Sequence, residues 1–195
     1  MNHELFEPIP LDEKAKVYVS NTVPQFNLPY EAFLQLWERH PPSYHRLMMH
    51  GKEVLTPRWQ QAYGKNYRYT GSQNNALAIG QDLKGYLDWA CEHIDSRLNG
   101  LLLNWYDGQQ NHYIGAHRDD TRDLMTDSPI VTISLGQERV FRLRPHGKKG
   151  FKDFTVRNGE VIVIPWETNL SWTHEVPAFK KYNGKRISIT MRAFK

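Results

Sequence analysis

The sequence predicts a mainly β fold in which an N-terminal helical layer packs on a C-terminal β-sandwich or jelly roll. Three observations carry this. Two helical hydrophobic patterns lie before Gly100. Seven short strand-like segments follow it, with turn residues between them and no helical pattern. No Gly/Ser-rich or charged linker divides the 195 residues, a length suited to one domain with its own core.

Taken in order, residues 24–29 read as loop and residues 30–38 as a helix with Phe33, Leu34 and Trp37 on one face. Pro41-Pro42 ends it. A loop-rich region then runs to about Asn75. It carries Met48-Met49-His50-Gly51-Lys52, Pro57-Arg58 and the aromatic group Tyr63, Tyr67 and Tyr69. Residues 81–98 form the strongest helical pattern, with Leu83, Leu87, Ala90, Cys91, Ile94 and Leu98 at i, i+3/i+4 spacing and Asn99-Gly100 as its stop. Residues 101–106, 130–135, 139–143, 154–156, 161–164, 171–176 and 186–192 read as strands, punctuated by Gly136, Gly147, Gly159 and Gly184. Strands this short and evenly spaced, without intervening helices, indicate a sandwich or jelly roll rather than a parallel α/β sheet. The expected organisation is a helical, lid-forming extension over residues 1–100 on a jelly-roll core over residues 101–195, together one compact domain.

Hydrophobic residues at 39% and charged residues at 24% exclude a wholly disordered chain. The formal net charge of +4 is compatible with a polyanionic partner and does not require one. Cys91 is the single cysteine, which excludes an internal disulfide, suggests a reducing compartment, and reads as a small core residue. The segment up to Asp12 is acidic, unlike a signal peptide, and no stretch has the length of a membrane span. The expectation is a monomer without membrane association, in the cytoplasm or, in a eukaryote, the nucleus.

The chemistry centres on His117-Arg118-Asp119. In an extended chain residues i and i+2 share a face, so an imidazole and a carboxylate can grip one ion. A third ligand on a neighbouring strand gives the 2-His-1-carboxylate arrangement, which leaves open positions for a co-substrate and dioxygen. His174, on the strand at 171–176, is the candidate; His112 is a weaker one, in the turn before His117. A His-x-Asp pair alone does not specify a metal. The last strand adds to it: Arg186, Ser188, Thr190 and Arg192 alternate with Ile187, Ile189 and Met191. If the polar face points inward, its two arginines need an anion, and a dicarboxylate suits their forked donors. If it points outward, it is only a solvated face.

Further motifs join these: Asn104-Trp105-Tyr106-Asp107-Gly108, then His112 through Asp120, Ser128-Pro129-Ile130, Ser134-Leu135-Gly136 and Trp172-Thr173-His174. Pro57-Arg58, Tyr63-Gly64 and Tyr67-Arg68-Tyr69-Thr70-Gly71 precede them in the same order. Together they resemble the AlkB family of iron/2-oxoglutarate demethylases, in particular the branch that repairs double-stranded DNA. The resemblance implies a double-stranded β-helix (jelly-roll) core, a helical supporting layer and a nucleotide-recognition lid. It implies that His117, Asp119 and His174 bind iron(II), and that Asn104, Tyr106, Arg186, Thr190 and Arg192 bind 2-oxoglutarate. Tyr67, Arg68 and Tyr69 would line the base pocket, with Tyr69 stacking a flipped base, and Asp120 would face the substrate. His50, Gly51 and Lys52 would form the loop that probes the duplex. Two departures stand out: Ser188 occupies a position where Asn is usual, and His50 follows two methionines where the family presents an aromatic or apolar wedge.

The implied reaction consumes dioxygen and 2-oxoglutarate, and an N-methyl group on DNA is hydroxylated and lost as formaldehyde. The base must leave its stack to reach the metal. A cationic base such as 1-methyladenine or 3-methylcytosine would be favoured by Asp120 and by stacking on the tyrosines. Asp120 can equally pair with Arg118 or Arg122. Lys52, Arg58, Lys65, Arg68 and the Lys148-Lys149 to Lys152 run are candidates for phosphate contact. Two alternatives remain at this point: the same site acting on RNA, a small molecule or a protein, and a silent nucleic-acid-binding module. The second has no use for intact ligands and arginines.

Overall fold

The computed structural model describes residues 4–49, 51–69 and 72–195. Two antiparallel sheets face each other, as expected of a β-sandwich. The larger has the order β1-β2-β13-β10-β15-β8-β5: β1 (Phe6–Pro10), β2 (Lys16–Ser20), β13 (Val161–Ile164), β10 (Ile130–Gly136), β15 (Lys185–Arg192), β8 (Gly100–Asp107) and β5 (Trp59–Tyr63). The smaller runs β12-β11-β14-β9: β12 (Lys152–Val156), β11 (Arg139–Pro145), β14 (Trp172–Val176) and β9 (Ile114–His117). Two separate hairpins complete the chain: β3 (Arg46–Met49) with β4 (Lys52–Leu55), and β6 (Tyr67–Tyr69) with β7 (Ser72–Asn74).

The large sheet is covered on both faces, which explains near-continuous apolar runs such as Val161–Ile164. On its outer face lie α1 (Tyr30–Trp37) and α2 (Gln81–His93). Phe33, Trp37, Leu83 and Trp89 there meet Leu101, Leu103 and Trp105 of β8 and Ile187, Ile189 and Met191 of β15. The Trp105 indole donates to the Leu36 carbonyl at 3.1 Å, so burying this ring leaves no unpaired donor. Alternation then sends Leu102, Asn104 and Tyr106, with Arg186, Ser188, Thr190 and Arg192, to the inner face between the sheets. Gly136 ends β10 at φ +82, where a Cβ would lie 2.5 Å from the Lys185 carbonyl and 2.7 Å from the Phe33 ring.

The structure corrects several expectations. The N-terminal hundred residues are not chiefly helical. β1 and β2 extend the large sheet at one edge and β5 at the other, so one sheet draws strands from both sides of Gly100. The segment read as loop up to Asn75 contains β3 to β7. The second helix stops at His93 rather than residue 98: Ile94 leaves helical geometry at φ −123, ψ −65, and the Asp95 carboxylate turns the chain by accepting from the Arg97 amide at 3.0 Å. A short helix, α3 (Trp166–Ser171), interrupts the strand series before β14.

Candidate metal centre and co-substrate cavity

The two imidazoles meet because β14 pairs with β9 in a register that sets His174 opposite His117, with ring centroids 4.3 Å apart. Asp119 follows β9, and α3 holds it there. The Asn169 amide accepts from the Asp119 N–H at 2.9 Å and donates to its carbonyl at 3.1 Å. The Nε2 atoms of His117 and His174 stand 3.7 and 3.9 Å from Asp119 Oδ1, and one ligand atom from each residue falls within 4.8 Å of the others. His117 Nδ1 lies 2.8 Å from the Gly115 carbonyl, which fixes the tautomer that frees Nε2. His174 is oriented by stacking, 5.8 Å and 10° from the Phe141 ring.

The charges fit this role. Burial pushes the His174 imidazole down to about 3, with His117 beside it adding to the shift. Burial likewise lowers His117. Both rings are therefore neutral, the form that ligates. Burial opposes ionisation of Asp119, but the Arg192 guanidinium, by its charge and its hydrogen bond, outweighs it and holds the carboxyl below the usual range. Arg192 Nε donates to Asp119 Oδ2 at 2.5 Å. Two nitrogens and a carboxylate converging from one side, with donors behind them, suit iron(II) in an open 2-His-1-carboxylate site.

Beside this cluster is a cavity of about 40 Å³ whose wall includes Asn104, Tyr106, Arg186, Ser188, Thr190 and Arg192. The polar face of β15 is thus not solvated: its four residues are between 1% and 7% exposed. Arg186 Nε donates to Ser134 Oγ at 2.9 Å and its guanidinium carbon lies 5.1 Å from the centre of the Tyr106 ring. Its Nη1 is buried without a partner among the described residues. Nature rarely leaves such a donor idle, and a carboxylate entering the cavity would satisfy it.

The residues expected at the substrate divide. Tyr67 is buried at the metal cluster, its hydroxyl 3.4 Å from Asp119 Oδ1 and its ring 4.5 Å from the Arg192 guanidinium carbon. Arg68 points away, exposed, 3.8 Å from Asp123. Asp120 is engaged by Arg122, through its backbone amide and its guanidinium, which is the plainer of the two readings of that residue. Gly51, at φ +76, turns the β3–β4 hairpin and Lys52 is exposed on it. His50 and the Tyr69 side chain lie outside the described residues. Arg58 is a correction: expected at the surface, it is 4% exposed and lines the cavity. Asn169 carried no motif and was not anticipated. Arg58 shares its buried face with Gln60 and Ala62, in strand alternation that leads into β5.

The sequence profile of the 2OG-Fe(II) oxygenase superfamily matches residues 29–192. The chain belongs to this superfamily. Its members use iron(II), 2-oxoglutarate and dioxygen, which agrees with the histidine–aspartate–histidine cluster and the arginine-lined cavity. The chain is 28% identical over 158 residues to the DNA oxidative demethylase ALKBH2 of Mus musculus, covering 75% of this chain and 66% of the relative. The Homo sapiens protein of the same name is also 28% identical over 158 residues, 75% of this chain and 60% of the relative. A third relative, the alpha-ketoglutarate-dependent dioxygenase alkB homolog 3 of Mus musculus, is 27% identical over 112 residues, 52% of this chain and 38% of that one. The match thus spans less than two thirds of these relatives' length. Among solved structures, OsALKBH1 superposes with a TM-score of 0.58 at 14% identity, over 95% of this chain and 99% of that one. An oxidoreductase of the 2OG-Fe(II) oxygenase family from Burkholderia pseudomallei gives 0.57 at 16%, over 90% and 84%. These two likenesses support the oxygenase fold. Among the described residues no helix is long and apolar enough to cross a membrane.

Proposed function

We propose that this oxygenase oxidatively demethylates N-alkylated bases such as 1-methyladenine and 3-methylcytosine in DNA, releasing succinate, carbon dioxide and formaldehyde. The similarity across 75% of the chain to proteins named DNA oxidative demethylase carries this reading. In it, His117, Asp119 and His174 hold iron(II), while Asn104, Tyr106, Arg186, Thr190 and Arg192 receive 2-oxoglutarate. Bound together, metal, 2-oxo acid and dioxygen supply the oxidising power that hydroxylates the methyl group.

The chain's own residues do the rest. Arg186, deep between the sheets, neutralises the far carboxylate and so sets the length of acid that fits. Arg192 keeps Asp119 ionised and still. Tyr67 closes the wall beside the metal and excludes water from that side. Tyr69, Arg68 and the hairpin turn at His50, Gly51 and Lys52 meet the nucleic acid, and Asp120 favours a cationic base once Arg122 releases it. Residues up to 100 supply the lid and support, and residues 101–195 the catalytic core, in a monomer. An oligonucleotide carrying 1-methyladenine tests the whole. With iron(II), ascorbate and 2-oxoglutarate it should lose the methyl group as formaldehyde is released. Succinate formed only with a substrate other than nucleic acid would reject this function and leave the oxygenase.

A further inference from the structure

The cavity wall carries a third guanidinium. Arg58 stands between the β3–β4 hairpin and β5, and its backbone is fixed on both sides: Thr56 Oγ1 donates to the Arg58 carbonyl at 2.8 Å, and the Tyr113 amide donates to the Pro57 carbonyl at 3.1 Å. From there Nε donates to Asn104 Oδ1 at 2.7 Å and Nη2 to Gln60 Oε1 at 3.1 Å. Arg58, Gln60 and Asn104 are each no more than 4% exposed. β5 and β8 bring them together, because Gln60 is registered with Asn104.

This contact decides which way the Asn104 amide faces. A guanidinium can only donate, so the amide oxygen must turn to Arg58. Its nitrogen is left to the cavity and donates to no protein acceptor among the described residues. A carboxylate needs donors, and here Asn104 is held so that it can offer nothing else. The balance of charge agrees. Arg58, Arg186 and Arg192 line the cavity, and the carboxylate set against them is Asp119, which is committed to Arg192. Among the described residues neither Arg58 nor Arg186 has an acidic partner within 4.0 Å. Buried cations without counter-charge are costly, and a dianion relieves two of them at once.

We propose that Arg58 is a positioning residue for the 2-oxo acid: it locks Asn104 as a donor toward the cavity and adds a second uncompensated positive charge to the wall. The proposal rests on the reading of this cavity as the 2-oxoglutarate site. Its rival is a purely structural tie between β5 and β8.

Calorimetric titration of 2-oxoglutarate into Mn(II)-loaded protein separates the two without turnover. Arg58→Met should weaken 2-oxoglutarate binding by about tenfold or more, as loss of a charge-assisted contact implies, while Mn(II) affinity stays put. Arg58→Lys, which keeps the charge but not the fork, should recover part of the loss. Combined with Asn104→Ala, Arg58→Met should cost less than the product of the two single effects, because the residues act as a unit. Wild-type affinity in Arg58→Met, or effects that multiply fully, would overturn the proposal provided Arg186→Met still weakens binding. If Arg186→Met also binds as wild type, the cavity is not the 2-oxoglutarate site and the underlying reading falls instead. Should Arg58→Met not fold, Arg58→Lys with Asn104→Ala completes the same cycle.

Discussion

The inner face of β15 and the β3–β4 hairpin both carry basic residues, Arg186 and Arg192 on one and Arg46 and Lys52 on the other, yet the fold treats them in opposite ways. Seven of the eight residues of β15 are buried, and its arginines are fixed by Ser134 and Asp119. All four residues of β4 are exposed, Leu55 among them at 54%, and Met48 on the facing strand β3 is 52% exposed. The buried face is held in place because its paired polar atoms, on moving, would lose partners that water cannot replace there. β3 is anchored by buried Leu47 and by Ser72 Oγ donating to the Arg46 carbonyl, but β4 is held by its ladder with β3, so its side chains carry little of the fold. On the proposed function, the chemistry thus sits where substitution is expensive and contact with the nucleic acid where it is cheap. That difference predicts how variants should sort.

The largest effect belongs to Asp119. Asp119→Ala removes a ligand and strands Arg192 in the interior, so metal-dependent formaldehyde release should vanish. Breaking a buried pair from one side also costs about 3–5 kcal/mol, which a melting curve would register. Retained turnover would take Asp119 out of the ligand set. Asn169→Ala comes next, because it loosens the backbone of Asp119 without touching the metal. A loss of about 10–100-fold in metal affinity is expected for such a supporting group. Direct Mn(II) titration measures it, and an unchanged affinity would show that α3 is mere packing.

Arg186→Met should raise the 2-oxoglutarate requirement about tenfold. Its stability signature is the opposite of that for Asp119. Removing an uncompensated buried cation is neutral or stabilising, so the melting temperature without 2-oxoglutarate should hold or rise. The further rise on adding 2-oxoglutarate should shrink. A melting temperature that fell as far as in Asp119→Ala would mean that Arg186 is structural.

The same contrast explains what the sequence made legible. Strands of the sandwich alternate between two buried faces, so β8, β10 and β13 to β15 showed as patterns of residues 101–192. His117, Asp119 and His174 were readable because metal ligation demands those residue types at strand spacing. The exposed strand β4 follows no such demand: Lys52–Leu55 buries nothing, and its strand form comes from pairing with Arg46–Met49. α2 read too long because Ile94 and Leu98 continue the apolar spacing after the backbone has turned away at Asp95. Arg58 looked like a surface cation because burial of an arginine is a tertiary fact. Only the approach of β5 to β8 supplies the Asn104 and Gln60 oxygens that make it tolerable.

The smallest effect, and the sharpest test of the contrast, is at Lys52. It is exposed at the start of β4, beside the turn at Gly51. If it touches phosphate, Lys52→Ala should weaken binding of a methylated duplex only a few-fold and lower the slope of log affinity against log salt by about 1. Fluorescence anisotropy at several salt concentrations reads both. The melting temperature should not move, since a surface substitution of this kind stays within about 0.5 kcal/mol. 2-Oxoglutarate affinity should also hold, because no part of β4 lines the cavity. A shift in either would mean that hairpin and cavity are coupled, and Arg58, whose chain leaves the hairpin and whose guanidinium enters the wall, would be the residue that couples them.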